Sequence, residues 1–339
     1  MDLNTVWYFI IGIVLTGYLI LDGYNLGIGI LSLFTPNEKD EYRKQLLAII
    51  GPHWDGNEVW LIVFGGLLFA VFPPVYAALL SAFYLQFIVL LLAFIFRGIS
   101  IPMRDRYETI SWKKFWDLCF GLSSFVIVLL FGIIAANLIR GIPLNENGMM
   151  KAGFLMTLNP FAFLMGFFAA ALLSLHGAIY AGIHGNSDIR RFIFIMTCIA
   201  WAFTLVLAIL AEIIIFNYAP GNVVKDNPVL FTIFLLLLIG SIAYILRSAM
   251  FSRYLRAFFA SIILIASVVS LLCLYFFPYL LRCGADPSKS LTIYNAGATA
   301  PAMIVILILT AIAMPIVIGY SIYVHFKLKP SGLVQSGYY

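Results

Sequence analysis

Charge is scarce in this sequence. Of 339 residues only 35 are Lys, Arg, Asp or Glu, a 10% share, where an ordinary soluble domain carries roughly 25%. With 63% hydrophobic residues and a mean hydropathy of +1.04, the chain cannot cover a water-facing surface. That excludes a soluble enzyme, a nucleic-acid-binding domain and a disordered regulator. The net charge of +5 is no nucleic-acid signal either, because the basic residues lie singly along the chain. Histidine and cysteine are just as sparse, at four each. Cys119, Cys198, Cys273 and Cys283 form no CxxC or zinc spacing. Three of them fall in apolar runs as small packing residues, and Cys283, in a connecting loop, is the one expected to be reactive. Long polar stretches are missing too: the longest connections run to about 20 residues, too few for an independent core.

What is present is a succession of apolar runs. A helix crossing the hydrocarbon core needs about 20 largely apolar residues. Nine runs qualify, near residues 6–32, 54–73, 77–99, 115–139, 160–183, 191–217, 229–247, 257–280 and 302–326. The expected fold is an all-α polytopic membrane protein. Pro73-Pro74 divides the second run from the third, since neither proline donates and each pushes the preceding residue out of helical geometry. Met1 to Trp7 carries no basic segment, so the first run reads as a retained span rather than a cleaved signal. Trp7, Tyr8, Trp112 and Trp116 lie at span ends, as an interfacial aromatic belt would.

Orientation and internal order follow from the same reading. The loops around 33–53, 97–114, 184–191 and 247–256, with the tail after 326, hold 15 of the 20 Lys and Arg residues. Positive charge marks the cytoplasmic side, which places the N-terminus outside and the C-terminus inside. Leu21-Asp22-Gly23 in the first span and Leu175-His176-Gly177 in the fifth occupy matching positions, with small residues after each. That pattern suggests two related halves, 1–140 and 160–280, of four helices each, followed by a final helix at 302–326.

Ionisable residues inside apolar spans are costly and mark proton paths or helix contacts. Asp22 is the clearest, and it reads either as a functional acid or as a partner for a neighbouring helix. The second concentration is Gly51-Pro52-His53-Trp54-Asp55-Gly56-Asn57-Glu58-Val59-Trp60. Pro52 and first-turn acids suit a helix start, and Asp55 and Glu58 share a face. Six polar or aromatic groups in so few residues nevertheless exceed what a cap needs. Carboxylates gathered in a low dielectric can hold a transferable proton, so Asp22, Asp55 and Glu58 are expected to form an inner-side proton inlet. Arg97, ending the third span, is expected to snorkel inward. Asp117 reads as an interfacial helix-start acid, and Glu212 as an interfacial acid or a helix contact. His176, His184 and His325 stand apart without metal spacing, so no metal site is expected and each reads as hydrogen-bonded or exposed.

The stretch Leu21-Asp22-Gly23-Tyr24-Asn25-Leu26-Gly27-Ile28-Gly29, followed by Gly51 to Ile62, resembles subunit II of the cytochrome bd-type quinol oxidases. Phe72-Pro73, Tyr76-Ala77-Ala78, Phe96-Arg97, Trp116-Asp117, Asn159-Pro160-Phe161 and Leu291 to Ala296 extend the resemblance to the ninth span. It implies one member of a two-subunit complex of the bacterial plasma membrane, folded as two four-helix bundles plus a peripheral helix. The partner, subunit I, would ligate haem b and haem d, oxidise quinol and reduce oxygen to water with cytoplasmic protons. No catalytic residue is then expected in this chain. The resemblance also implies a proton route through Asp22, Asp55 and Glu58, with His53, Trp54 and Asn57 around it, and oxygen access near Trp60. A relay acid after the third span falls on Asp105 only if a gap is allowed; Asp117 is the neighbouring acid. Small single-helix subunits, membrane lipid and quinone complete the expected partners.

Two other classes compete. A proton-coupled secondary transporter would carry midplane carboxylates on broken helices in both halves, whereas these acids gather toward one side. A purely structural scaffold leaves Asp22 in the membrane without a reason.

Overall fold

Inside a bilayer every backbone donor and acceptor must be met within the chain, and a helix meets them locally. The computed structural model describes residues 2–36, 39–52, 54–142, 154–218, 227–284 and 286–327. Among these, nine helical segments are long and apolar enough to cross a membrane. The first, Leu3–Ser32, consists of α1 (Leu3–Leu21) and α2 (Gly23–Ser32), which meet at Asp22. Asp2 caps α1 by accepting from the Thr5 N–H at 2.7 Å, and that bond holds its carboxyl below the usual range. After α3 (Asp40–Ile50) comes the second span, α4 (Trp54–Val71), and then α5 (Pro73–Ala82) and α6 (Tyr84–Arg104). The remaining helices are α7 (Ile110–Arg140), the short α8 (Phe154–Thr157), α9 (Pro160–His184), α10 (Arg190–Tyr218), α11 (Pro228–Met250), α12 (Tyr254–Phe276) and α13 (Ala300–Lys327).

Three features differ from the sequence reading. The first connection contains α3, whose Asp40 and Glu41 suit a helix N-terminus while Leu46, Ile49 and Ile50 are buried beside Tyr24, Ile28 and Tyr180. Pro73 and Pro74 do not make a loop. They occupy the first turn of α5, where a missing N–H costs nothing, and the chain turns at Phe72 instead. Finally, α12 ends at Phe276, and β1 (Tyr279–Leu281) pairs antiparallel with β2 (Leu291–Thr292). This small ribbon corrects the expectation for Cys283. The Ile142 N–H donates to the Arg282 carbonyl at 2.8 Å and the Cys283 N–H to Ser290 Oγ at 3.0 Å. Those bonds fold the segment onto the end of α7 and leave Cys283 buried.

Helix α9 is the axis of the packing. Its apolar window is 72% buried, against 6% for the last span. It packs on α2, α7, α10 and α12, whereas α13 lies on α4 with Ile304, Ile308, Ile312 and Ile316 exposed to whatever surrounds the protein in the membrane. Asn159 caps α9, its Oδ1 accepting from the Ala162 N–H at 3.0 Å, with Pro160 in the first turn. Two crossings require glycine. A Cβ on Gly27 would stand 1.9 Å from the Leu173 carbonyl oxygen, and one on Gly132 would stand 2.4 Å from that of Met165. Small residues are what let membrane helices approach so closely.

Gly27→Ala should therefore destabilise the protein by about 1–3 kcal/mol or more, the usual range for overpacking. Gly65→Ala, at a position with open space around it, is the control. Thermal unfolding in detergent should show a lowered midpoint for the first and none for the second; equal midpoints would contradict the crossing.

Candidate functional site

Helix α6 buries one stripe: Gln86, Leu90, Ala93, Arg97, Ser100 and Arg104. The spacing alternates between four and three residues, which keeps one face toward the protein. Two arginines therefore point inward. The Arg97 side chain is 0% exposed, and its Nη2 donates to Asp22 Oδ1 at 3.0 Å. Its Nη1 donates to Glu58 Oε1. Arg97 thus does not snorkel, because carboxyl groups on two other helices hold it inside, which is how membrane proteins accommodate such a charge. Asp22 stands at the α1–α2 junction, Glu58 in the second turn of α4 and Arg97 on α6, so the triad ties together the first three spans.

Neighbouring polar groups pin the junction. Asn25 Nδ2 donates to Asp22 Oδ1 at 3.1 Å. Asn57 Nδ2 donates to the Leu21 carbonyl and to Tyr24 Oη, both at 2.8 Å. The Tyr24 ring stacks on Tyr180 with centroids 3.9 Å apart. His176 is fully buried, with Nδ1 2.7 Å from Ser261 Oγ and Nε2 3.0 Å from the Ile20 carbonyl oxygen. Both ring nitrogens are engaged in joining α9, α12 and α1. His176 therefore has no free nitrogen for iron, and His184 is exposed at the end of α9.

The structure separates the acids that the sequence grouped. Asp22 and Glu58 come together through Arg97, but Asp55 is exposed on the first turn of α4, its Oδ1 accepting from the Gly56 N–H at 2.7 Å. Trp54 is half-buried with its ring against Gly98, and Trp60 is buried with its ring against Gly17. His53 lies outside the described residues. A second ionic knot surrounds Arg104, whose Nε donates to Asp117 Oδ1 at 2.6 Å and whose Nη1 donates to Asp105 Oδ1 at 3.3 Å. Asp40 of α3 completes it at 2.5 Å. Seven residues separate the two arginines, about 10.5 Å of helix. Glu212 is a helix contact: it accepts from the Tyr275 hydroxyl, bridging α10 and α12. Arg104, Asp40 and Asn25 were not singled out from the sequence. The four- and three-residue spacing of Leu90, Ala93, Arg97, Ser100 and Arg104 is the signal in the sequence that would have marked both arginines as inward-facing.

Comparison with known proteins decides the family. Residues 3–328 match the family described as "Cytochrome bd terminal oxidase subunit II". The chain belongs to that family. It is similar to "Cytochrome bd-I ubiquinol oxidase subunit 2" of Escherichia coli K12, at 27% identity over 96% of this chain and 94% of that one. "Cytochrome bd ubiquinol oxidase subunit 2" of Bacillus subtilis is 30% identical over 56% of each chain. The fold is shared with a chain of the bd oxidase from Geobacillus thermodenitrificans, at a TM-score of 0.79, 17% identity and coverage of 97% of this chain and 98% of that one. The chain is thus a multi-pass membrane protein whose family places it beside at least one partner subunit.

Arg97→Gln would leave the two acids in the membrane without their cation, and breaking a buried pair in this way costs about 3–5 kcal/mol. The variant should unfold at a clearly lower temperature, and Asp22→Asn in the same chain should restore part of the loss. An unchanged midpoint in Arg97→Gln would contradict the triad.

Proposed function

We propose that this subunit supports a haem-bearing subunit I and carries protons toward it from the basic-loop side of the membrane. The observation that carries this reading is the Asp22–Arg97–Glu58 triad. Two carboxyl groups share one guanidinium, so the triad bears a net negative charge when fully ionised and is neutral when it holds one proton. Net charge is costly in a low dielectric, so a site that is neutral with one exchangeable proton suits a relay. Asp55, one turn earlier on α4 and exposed, is the contact with water or with the partner. Asn57 holds the α1–α2 junction in place, and Trp54 opens the same helix, with His53 the residue before it in the sequence. Asp117 and Asp105, gathered on Arg104, form an approach from the same side. Trp60 marks the place for oxygen access.

In this reading the complex oxidises quinol and reduces oxygen to water, and the loops rich in Lys and Arg face the cytoplasm. Haem b and haem d are ligated by subunit I, where they supply the oxygen chemistry; small single-helix subunits, lipid and quinone belong to the complete assembly. Family membership does not favour the transporter alternative.

The test uses the oxidase purified with both subunits. Asp22→Asn and Glu58→Gln should each lower oxygen consumption at least about 10-fold, since a missing proton-transfer group commonly costs 10²–10⁴. Asp55→Asn should slow it as well, with the reduced-minus-oxidised haem spectrum preserved in all three. Unchanged turnover in the first two would overturn the relay, and purification without a haem-bearing partner would overturn the role as subunit II.

A further inference from the structure

Around Asp22 the protein leaves four polar atoms without a protein partner: Tyr18 Oη, Asp22 Oδ2, Asn25 Oδ1 and Arg97 Nε. Tyr18, Asp22, Asn25 and Arg97 are all fully buried, so bulk water does not meet these needs. The first three residues recur along the first span at spacings of four and three, which puts them on one side of the helix. Asn25 Nδ2 and Arg97 Nη2 both reach Asp22 Oδ1, at 3.1 and 3.0 Å. Tyr18 stands one helical turn before Asp22 on that same side. A buried polar atom left unmet is costly, so four of them on Asp22 and the three residues around it need an explanation.

Their chemistry supplies it. Asp22 Oδ2 and Asn25 Oδ1 accept, Arg97 Nε donates and the tyrosine hydroxyl can donate. A water molecule has two donors and two acceptors, and buried waters typically make about three such bonds. We infer that Tyr18, Asp22, Asn25 and Arg97 form a water-binding site inside the membrane, in which the water donates to Asp22 Oδ2 and Asn25 Oδ1 and accepts from Tyr18 and Arg97. Direct rotation of the tyrosine hydroxyl onto Asp22 would satisfy only two of the four atoms. Asn25 Oδ1 and Arg97 Nε would still need a group that both accepts and donates, and water is one.

The site deepens the proton-carrying reading of the triad and rests on it for its role. A water can donate to an ionised Asp22 or, turned over, accept from a protonated one, and the tyrosine hydroxyl can turn with it. Asp22 then keeps a partner in both states, which a fixed protein donor would not allow. Tyr18 is in this account a positioning residue, one helical turn from Asp22 on the side away from the basic loops.

Tyr18→Phe tests this in the two-subunit oxidase, since it removes the hydroxyl and keeps the ring that packs edge-on against Phe131. A high-resolution structure of the unaltered complex should show solvent density about 2.7–3.2 Å from Asp22 Oδ2 and Arg97 Nε. Infrared difference spectra in H2-18O should contain an isotope-sensitive water band that Tyr18→Phe weakens or removes. A well-ordered site without that density, or a band indifferent to Tyr18→Phe in folded protein, overturns the proposal. If the band is lost while the pH profile of oxygen consumption stays the same, the water site stands and the proton-carrying reading fails.

Discussion

A guanidinium buried in a membrane has to be met by acids, and much of this structure serves that requirement at Arg97. The side chain reaches the first two spans from the third and finds one carboxyl on each. Asp22 sits where α1 gives way to α2, with the helical bonds from the Asp22 N–H to the Tyr18 carbonyl and from the Leu26 N–H to the Asp22 carbonyl running on through it. That junction is clamped from three directions: Asn57 of α4 takes the Leu21 carbonyl, His176 of α9 takes the Ile20 carbonyl, and Asn25 takes the Asp22 carboxyl itself. No member of this network is dispensable to the others, since each satisfies a polar atom that lipid could not.

Close helix approach makes the clamp reachable. Gly27 lies five residues beyond Asp22, and Gly177 directly follows His176; there the backbones of the first and fifth spans come nearly into contact. A side chain at either position would push α9 away and pull the His176 ring from the Ile20 carbonyl. The glycines and the histidine thus act as one device, setting a distance and then locking it. The Arg104 knot performs a similar task at the basic end, where it fastens α3 to the third and fourth spans through Asp40 and Asp117.

The spans were legible in the sequence because bilayer thickness sets how long an apolar run must be, and most boundaries moved by only a few residues. Helix α3 was not, because its stabilising face, Leu46, Ile49 and Ile50, is short and interrupted by charge. The β1–β2 ribbon was hidden for a related reason: strands of two and three residues carry no periodicity. Asp22 and Glu58 stood out as acids in apolar surroundings, but which acid faces the interior depends on where a partner sits. Asp55 and Glu58 share a face of α4, and it is the position of Arg97 on another helix that singles out Glu58. Arg97 itself was misread because a cation near a span end usually reaches for water; its place on a buried stripe of α6 outweighs that habit.

The central claim is that the triad holds an exchangeable proton, and redox-induced infrared difference spectroscopy of the complete oxidase reads it most directly. The account predicts a carboxylic acid C=O band that responds to turnover and is lost or shifted in Glu58→Gln or in Asp22→Asn. A spectrum without such a band, or with one unaffected by both substitutions, would contradict it.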